Sequence, residues 1–158
     1  MQNTPDVVIT GVGVISPIGI GTDAFWHALL EGESGIRPID LFDSDGLTVR
    51  FGGQVPSFDP KLYVRPRKSL KVMSRDIQFG FAAADLAIAD AGISSDKLDP
   101  ERFGVVFGNE MIYADLDDLE TTYRRAKTSA GTFSYEHWAE AIHEELQPLW
   151  LLKHLPNM

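Results

Sequence analysis

The stretch VVITGVGVISPIGIG, residues 7–21, decides how the chain is read. Its first half is apolar and mostly β-branched: Val7, Val8, Ile9 and Val12 follow Pro5 and lead into glycines, which predicts a buried strand. Its second half poses a choice between a phosphate-cradling loop and a structural turn. A dinucleotide loop needs G-x-G-x-x-G at a strand-to-helix turn, so that backbone N–H groups reach the pyrophosphate. Gly11 and Gly13 fit, but Ser16 stands at the third position. A P-loop needs G-x-x-x-x-G-K-[ST], and the first lysine of the chain is Lys61. The turn reading accounts for more residues. Ser16-Pro17 stops the strand, Gly19 and Gly21 turn the chain, Thr22 caps a helix carrying Phe25, Trp26, Leu29 and Leu30, and Gly32 ends it.

Beyond that helix, residues 33–60 are rich in Gly, Pro, Ser and Asp but hold Phe42, Phe51 and Phe58, three rings that call for burial. An ordered excursion with one or two short strands is expected. In SLKVMSRDIQFGFAAADLAIADAG, residues 69–92, Met73, Ile77, Ala84 and Ile88 recur at helical spacing and Gly92 stands where a C-terminal glycine belongs. RFGVVFGNE then predicts a central strand over Phe103 to Phe107. Leu116, Leu119, Tyr123 and Ala126 mark a third helix, and Trp138, Ile142 and Leu146 the buried side of a fourth. Pro148 breaks the chain before LWLLKHLPNM.

With 158 residues, 44% of them hydrophobic, the chain is expected to form one α/β unit of ordinary domain size. No run approaches a membrane span, and MQNTPD lacks the basic start and apolar core of an export signal, so a cytoplasmic location is expected. There is no cysteine, which removes disulfides, thiolate metal sites and a cysteine nucleophile from these residues. Fourteen basic and 23 acidic side chains give a net charge of −9, which disfavours nucleic acid and anionic membranes as partners. The average hides an island. KLYVRPRKSLKVMSR, residues 61–75, carries Lys61, Arg65, Arg67, Lys68, Lys71 and Arg75 without one acid. It is either a solvated helix entrance or a dock for an acidic macromolecule or a phosphate-bearing ligand.

Other chemical signals are incomplete. HEELQ, His143 to Gln147, lacks the second histidine of the zinc-protease helix, and His137 lies six residues from His143, on the opposite side of a helix. Neither DSDG at 43–46 nor DLDDLE at 115–120 has the twelve-residue calcium loop with its central glycine and terminal glutamate, so turn and helix-start chemistry explains them. Ser16 and Ser69 have no nucleophile elbow around them. No metal, cofactor or catalytic residue is expected from these patterns.

The residues do carry a resemblance. VVITGVGVISPIGIGTDAFWHALLEGESGIRPI resembles the opening of β-ketoacyl-acyl-carrier-protein synthases: a strand, a T-G-x-G-x-x-[ST]-P-x-G turn, and a helix ending in L-x-x-G-x-S-G-I. FDP, the RK leading into MSRDIQFGFAAADLAIADAGI, and LDPERFGVVFGNEM continue the likeness through most of residues 7–112. LLKHLPNM resembles the stretch shortly before the family's active-site region. The resemblance implies that residues 1–158 are the N-terminal portion of a thiolase-like, layered α-β-α-β-α fold, ending before the expected active-site cysteine. It implies decarboxylative Claisen condensation of acyl and malonyl thioesters in fatty-acid or polyketide assembly, by a cysteine and two histidines that lie outside these residues. His154 is then a helix-end histidine and not one of that pair. The alternative it leaves open is a non-catalytic module of the chain-length-factor type. Implied partners are acyl carrier protein and a second ketosynthase-like chain, in a homodimer or heterodimer. By position, Arg67, Lys68 and Lys71 correspond to the family's carrier-docking helix entrance. Met111 corresponds to a residue lining the acyl pocket, with a flexible core filler as the equal alternative. GNEM replaces a more glycine-rich turn there. The resemblance also makes the turn at 11–19 scaffold.

Overall fold

The structure is a computed structural model describing residues 6–94, 96, 98–108, 116–146 and 149–155. It comprises two compact units, Met1–Arg67 with Gln78–Val106, and Lys68–Ile77 with Phe107–Met158.

The first unit is organised by the glycine-rich stretch. Strands β1 (Ile15–Ser16) and β2 (Gly19–Ile20) pair antiparallel, so Pro17 and Ile18 form the turn of a small hairpin. The Ser16 hydroxyl donates to the Gly19 carbonyl at 3.0 Å and accepts from the Ile18 N–H at 3.3 Å. Helix α1 (Thr22–Leu30) follows, with Gly21 and not Thr22 at its N-cap. The Thr22 hydroxyl instead donates to the Val12 carbonyl at 2.9 Å, tying the helix start to the preceding segment. At the other end Gly32 adopts φ 67° while its N–H reaches the Leu29 carbonyl and that of Glu33 the Ala28 carbonyl. These two bonds satisfy carbonyls that a helix end leaves open, and the left-handed residue between them favours glycine.

Strands β3 (Ile36–Pro38) and β4 (Phe51–Gly53) pair antiparallel, as the expectation of short strands in residues 33–60 requires. Burial of all three phenylalanines does not follow. Phe42 and Phe51 are exposed, and only Phe58 is half-buried, its ring 5.9 Å from Tyr63 and 4.7 Å from Phe79. Helix α2 (Arg75–Asp90) matches the sequence reading and ends like α1, with Gly92 at φ 63° and N–H bonds from Gly92 and Ile93 to Ala89 and Ile88.

Two expected strands are corrections. Neither Val7–Val12 nor Phe103–Phe107 forms a ladder among the described residues. Their side chains face solvent, Val7 and Val106 each 97% exposed. Apolar, β-branched sequence favours extended backbone, but a strand exists only where a neighbour supplies the other half of its hydrogen bonds.

In the second unit, α3 (Leu116–Arg125) and α4 (Tyr135–Glu145) pack as an αα-hairpin. Thr122, Ala126 and Ala141 are buried there. The connecting turn closes through Thr128 N–H to Thr132 O at 2.8 Å and Ser134 N–H to Ala126 O at 2.7 Å. A 3-10 turn, Trp150–His154, follows.

Candidate functional site

The basic island begins at Asp59, whose carboxylate accepts from the Lys61 N–H at 2.9 Å and caps a 3-10 turn, Pro60–Leu62. Val64, 1% exposed, anchors the chain just beyond it. The Arg65 guanidinium donates to the carbonyls of Lys61 and Val64 and so stiffens this turn.

Arg67, Lys68 and Lys71 all lie on the next element, a 3-10 helix spanning Arg67–Val72. All three are exposed, whereas Ser69, Leu70 and Val72 are half-buried. With three residues per turn, Lys68 and Lys71 stand one above the other on one face. Among the described residues none of the three enters an ion pair. Three cations on two turns of helix, in a chain of net charge −9, form a local positive field available to an acidic partner. Ser74 precedes Arg75, the last cation of the island. It is buried, and its hydroxyl accepts from the Ile77 N–H at 3.3 Å, which caps the start of α2.

The glycine-rich turn is no phosphate cradle. A Cβ on Gly11 would lie 2.4 Å from the Ala87 carbonyl oxygen, and one on Gly13 2.0 Å from that of Ala83. Both glycines are there because the segment rests on the backbone of α2. The Val12 N–H, which a phosphate would need, is already given to Asp90 at 2.8 Å. A cavity of about 410 Å³ beside the turn is lined by Asp23 and Asp90 and by no Lys or Arg, so it repels an anion.

The remaining candidates resolve as follows. The Asp43 carboxylate accepts from the Asp45 N–H at 2.9 Å, and Asp45 pairs with Arg50, which is turn chemistry. In the HEELQ stretch, Glu144 and Glu145 take the Arg125 guanidinium at 2.7 and 2.6 Å, while His137 and His143 are exposed. The hydrogen bond to Glu144, then that to Glu145, raises the Arg125 pKa above its ordinary value. Met111 falls outside the described residues.

Sequence reasoning missed two groups. The His154 ring lies 4.6 Å from Trp150 and 4.0 Å from the Asp118 carboxylate, which Lys153 holds at 3.2 Å. The other is a set of aromatic rings: Tyr123 of α3 lies 4.5 Å from Trp138 of α4, and Phe133 of the connecting turn lies 5.2 Å from Tyr135 and 5.7 Å from Trp138. In both, partners some 15 to 35 positions apart meet only through the packing of the unit.

The family described as "Beta-ketoacyl synthase, N-terminal domain" matches residues 4–142. The chain belongs to the β-ketoacyl synthase family. Among its relatives, the tetracenomycin polyketide synthase ketoacyl synthase beta subunit of Streptomyces glaucescens is 42% identical over 106 residues, covering 67% of this chain and 26% of that protein. The 3-oxoacyl-[acyl-carrier-protein] synthase 2 of Vibrio cholerae is 39% identical over 118 residues, covering 75% and 28%. A solved structure, "The ishigamide ketosynthase/chain length factor", superposes with a TM-score of 0.62 at 28% identity, over 94% of this chain and 33% of that one. This β-ketoacyl synthase chain therefore spans about a quarter to a third of such relatives. Among its described residues, no helix is long and apolar enough to cross a membrane.

Proposed function

We propose that residues 1–158 are the N-terminal part of a β-ketoacyl-acyl-carrier-protein synthase of the thiolase-like layered fold, working in the cytoplasm on acyl and malonyl carrier thioesters. The match of residues 4–142 to the family's N-terminal domain carries this reading. In the complete protein a cysteine thiolate takes the acyl group and releases the carrier thiol, and loss of CO₂ from the malonyl thioester generates the carbanion that attacks the enzyme thioester and expels the cysteine thiolate, with backbone amides holding the oxyanion. None of the 158 residues is a cysteine, so these residues contribute scaffold and docking surface. Arg67, Lys68 and Lys71 receive the acidic carrier, a role supported by their exposure on one 3-10 helix. Met111 bounds the acyl pocket.

A second reading, a non-catalytic partner of the chain-length-factor type, is favoured by the beta-subunit relative and the ketosynthase/chain-length-factor likeness. Incubating the complete protein with acyl carrier substrate and reading acylation by mass spectrometry separates the two. A covalent acyl adduct and ketoacyl product mark the enzyme; neither, together with activation of a co-expressed ketosynthase, marks the module. Under the enzymatic reading, changing Arg67, Lys68 and Lys71 to Glu raises the apparent KM for carrier substrate and flattens its salt dependence, because attractive steering is lost. Unaltered kinetics and salt response would remove the docking role. Met111→Phe shifts the primer profile toward shorter chains, and an unchanged profile returns Met111 to core filling.

A further inference from the structure

Helix α1 turns one side inward and presents another that none of the foregoing chemistry uses. Phe25 and Ala28 lie on the inward side, half-buried and buried. Opposite them Asp23, Trp26, His27, Leu30 and Glu31 recur at i, i+3, i+4, i+7 and i+8, a single stripe of a helix, and together they line an open cavity of about 330 Å³. Its centre is apolar, with Trp26 59% and Leu30 69% exposed. Its two ends are acidic. Neither Asp23 nor Glu31 enters an ion pair among the described residues. The surrounding sequence has the same sign: residues 1–36 hold Asp6, Asp23, Glu31 and Glu33 and no Lys or Arg. Helix stability accounts for only one of the two end charges. Asp23 stands in the first turn, where the helix dipole favours an anion, whereas Glu31 stands at the C-cap, where it favours a cation.

We propose that this stripe docks an extended basic segment of a partner protein, with the pattern cation-x-apolar-x-cation. At 1.5 Å of rise per residue, Asp23 and Glu31 stand about 12 Å apart along the axis. In an extended chain, residues i and i+4 share a face about 13 Å apart, and i+2 lies between them on that face. Two cations at this spacing therefore reach both carboxylates while the apolar side chain between them enters beside Trp26 and Leu30. A cation at Glu31 also meets the negative end of the helix dipole, so the charge that costs the free helix stability favours the complex. Tryptophan at the centre of a patch is a residue type on which binding energy concentrates, and the acidic ends steer a basic partner in while rejecting an acidic one. Five side chains make a small interface, of the size that suits a transient encounter. The inference rests on α1 alone and holds for a condensing enzyme and a non-catalytic module alike.

Fluorescein-labelled K-T-L-T-K, titrated with the complete protein and read by fluorescence anisotropy, tests it beside E-T-L-T-E and K-T-T-T-K. The expected result is saturable binding of K-T-L-T-K, weaker by about fivefold or more without the leucine and absent for the acidic peptide. Asp23→Lys with Glu31→Lys, at exposed positions, weakens it by about tenfold or more in Kd, and Trp26→Ala does the same. Glu136→Lys with Glu140→Lys, the same change of net charge on the exposed side of α4, leaves it within about twofold. No saturable binding of K-T-L-T-K, equal binding of either control peptide, indifference to the α1 charge reversal or to Trp26→Ala, or an equal loss from the α4 reversal would each overturn the proposal.

Discussion

A Cβ on Gly13 would stand 2.0 Å from the Ala83 carbonyl oxygen and 2.6 Å from the Ala87 N–H nitrogen, distances that backbone atoms of a helix cannot yield without moving. Gly13→Ala is therefore expected to destabilise the chain by roughly 1–3 kcal/mol through overpacking. Gly52→Ala, where nothing lies within 4 Å, is the control, expected to fall within about 0.5 kcal/mol of wild type. Urea unfolding followed by circular dichroism checks both, and equal midpoints for the two variants would show that the segment does not rest on α2. At this scale the sequence was partly legible. The G-x-G pattern announced that side chains are forbidden at 11 and 13, but two chemistries forbid them, a phosphate and a neighbouring backbone. Ala83, Ala87 and Asp90 decide between these, and they stand some 70 to 80 positions away. Arg67, Lys68 and Lys71 were legible outright, because charge of one sign in a short run needs no folding to be seen.

Helix ends carry their information locally, and the structure repeats what the residues say. Gly32 and Gly92 close α1 and α2 in the same way, each in the left-handed conformation. Ser134 opens α4 by accepting from the His137 N–H at 3.3 Å. Replacing it by Ala strands that N–H and is expected to lower stability by about 0.5–2 kcal/mol, most directly seen as lost helical ellipticity and a lower unfolding midpoint. Ser134→Asp, which restores an acceptor near the positive end of the helix, should recover most of it. A loss not recovered by Asp would assign Ser134 a packing role instead. The element that misled is Thr22: its type and place suit a cap, but its hydroxyl reaches the Val12 carbonyl and Gly21 takes the N-cap position. Strands misled more deeply. Val7–Val12 and Phe103–Phe107 have the composition of buried strands, yet pairing is a property of two segments, and sequence preference describes one.

For the molecule as a whole, the buried hydrophobic residues are small. Among the described residues Ala28, Val64, Ala82, Ala126 and Ala141 fill that class, while Val7, Val8, Ile9, Val105 and Val106 face water. Apolar surface on this scale should bind a hydrophobic dye such as ANS. The double change Val7→Asp and Val106→Asp is expected to reduce that emission while leaving the unfolding midpoint within about 0.5 kcal/mol, since both side chains are 97% exposed. Undiminished emission would place the dye elsewhere. The same scale governs activity. With no cysteine, the 158-residue chain is expected to form no acyl adduct and no ketoacyl product from acyl and malonyl carrier protein, and stoichiometric acylation would reveal a nucleophile of another kind. The sequence by itself determined the helices, their glycine ends, the basic island and the family, because each is written in near neighbours or in the order of constrained residues. Only the tertiary structure decided that the glycine-rich turn serves packing, that two apolar segments form no ladder among the described residues, and that Tyr123 of α3, Phe133 of the connecting turn and Tyr135 and Trp138 of α4 come together. These depend on which distant backbone or ring comes within a few ångströms, and the packing of each unit sets that distance.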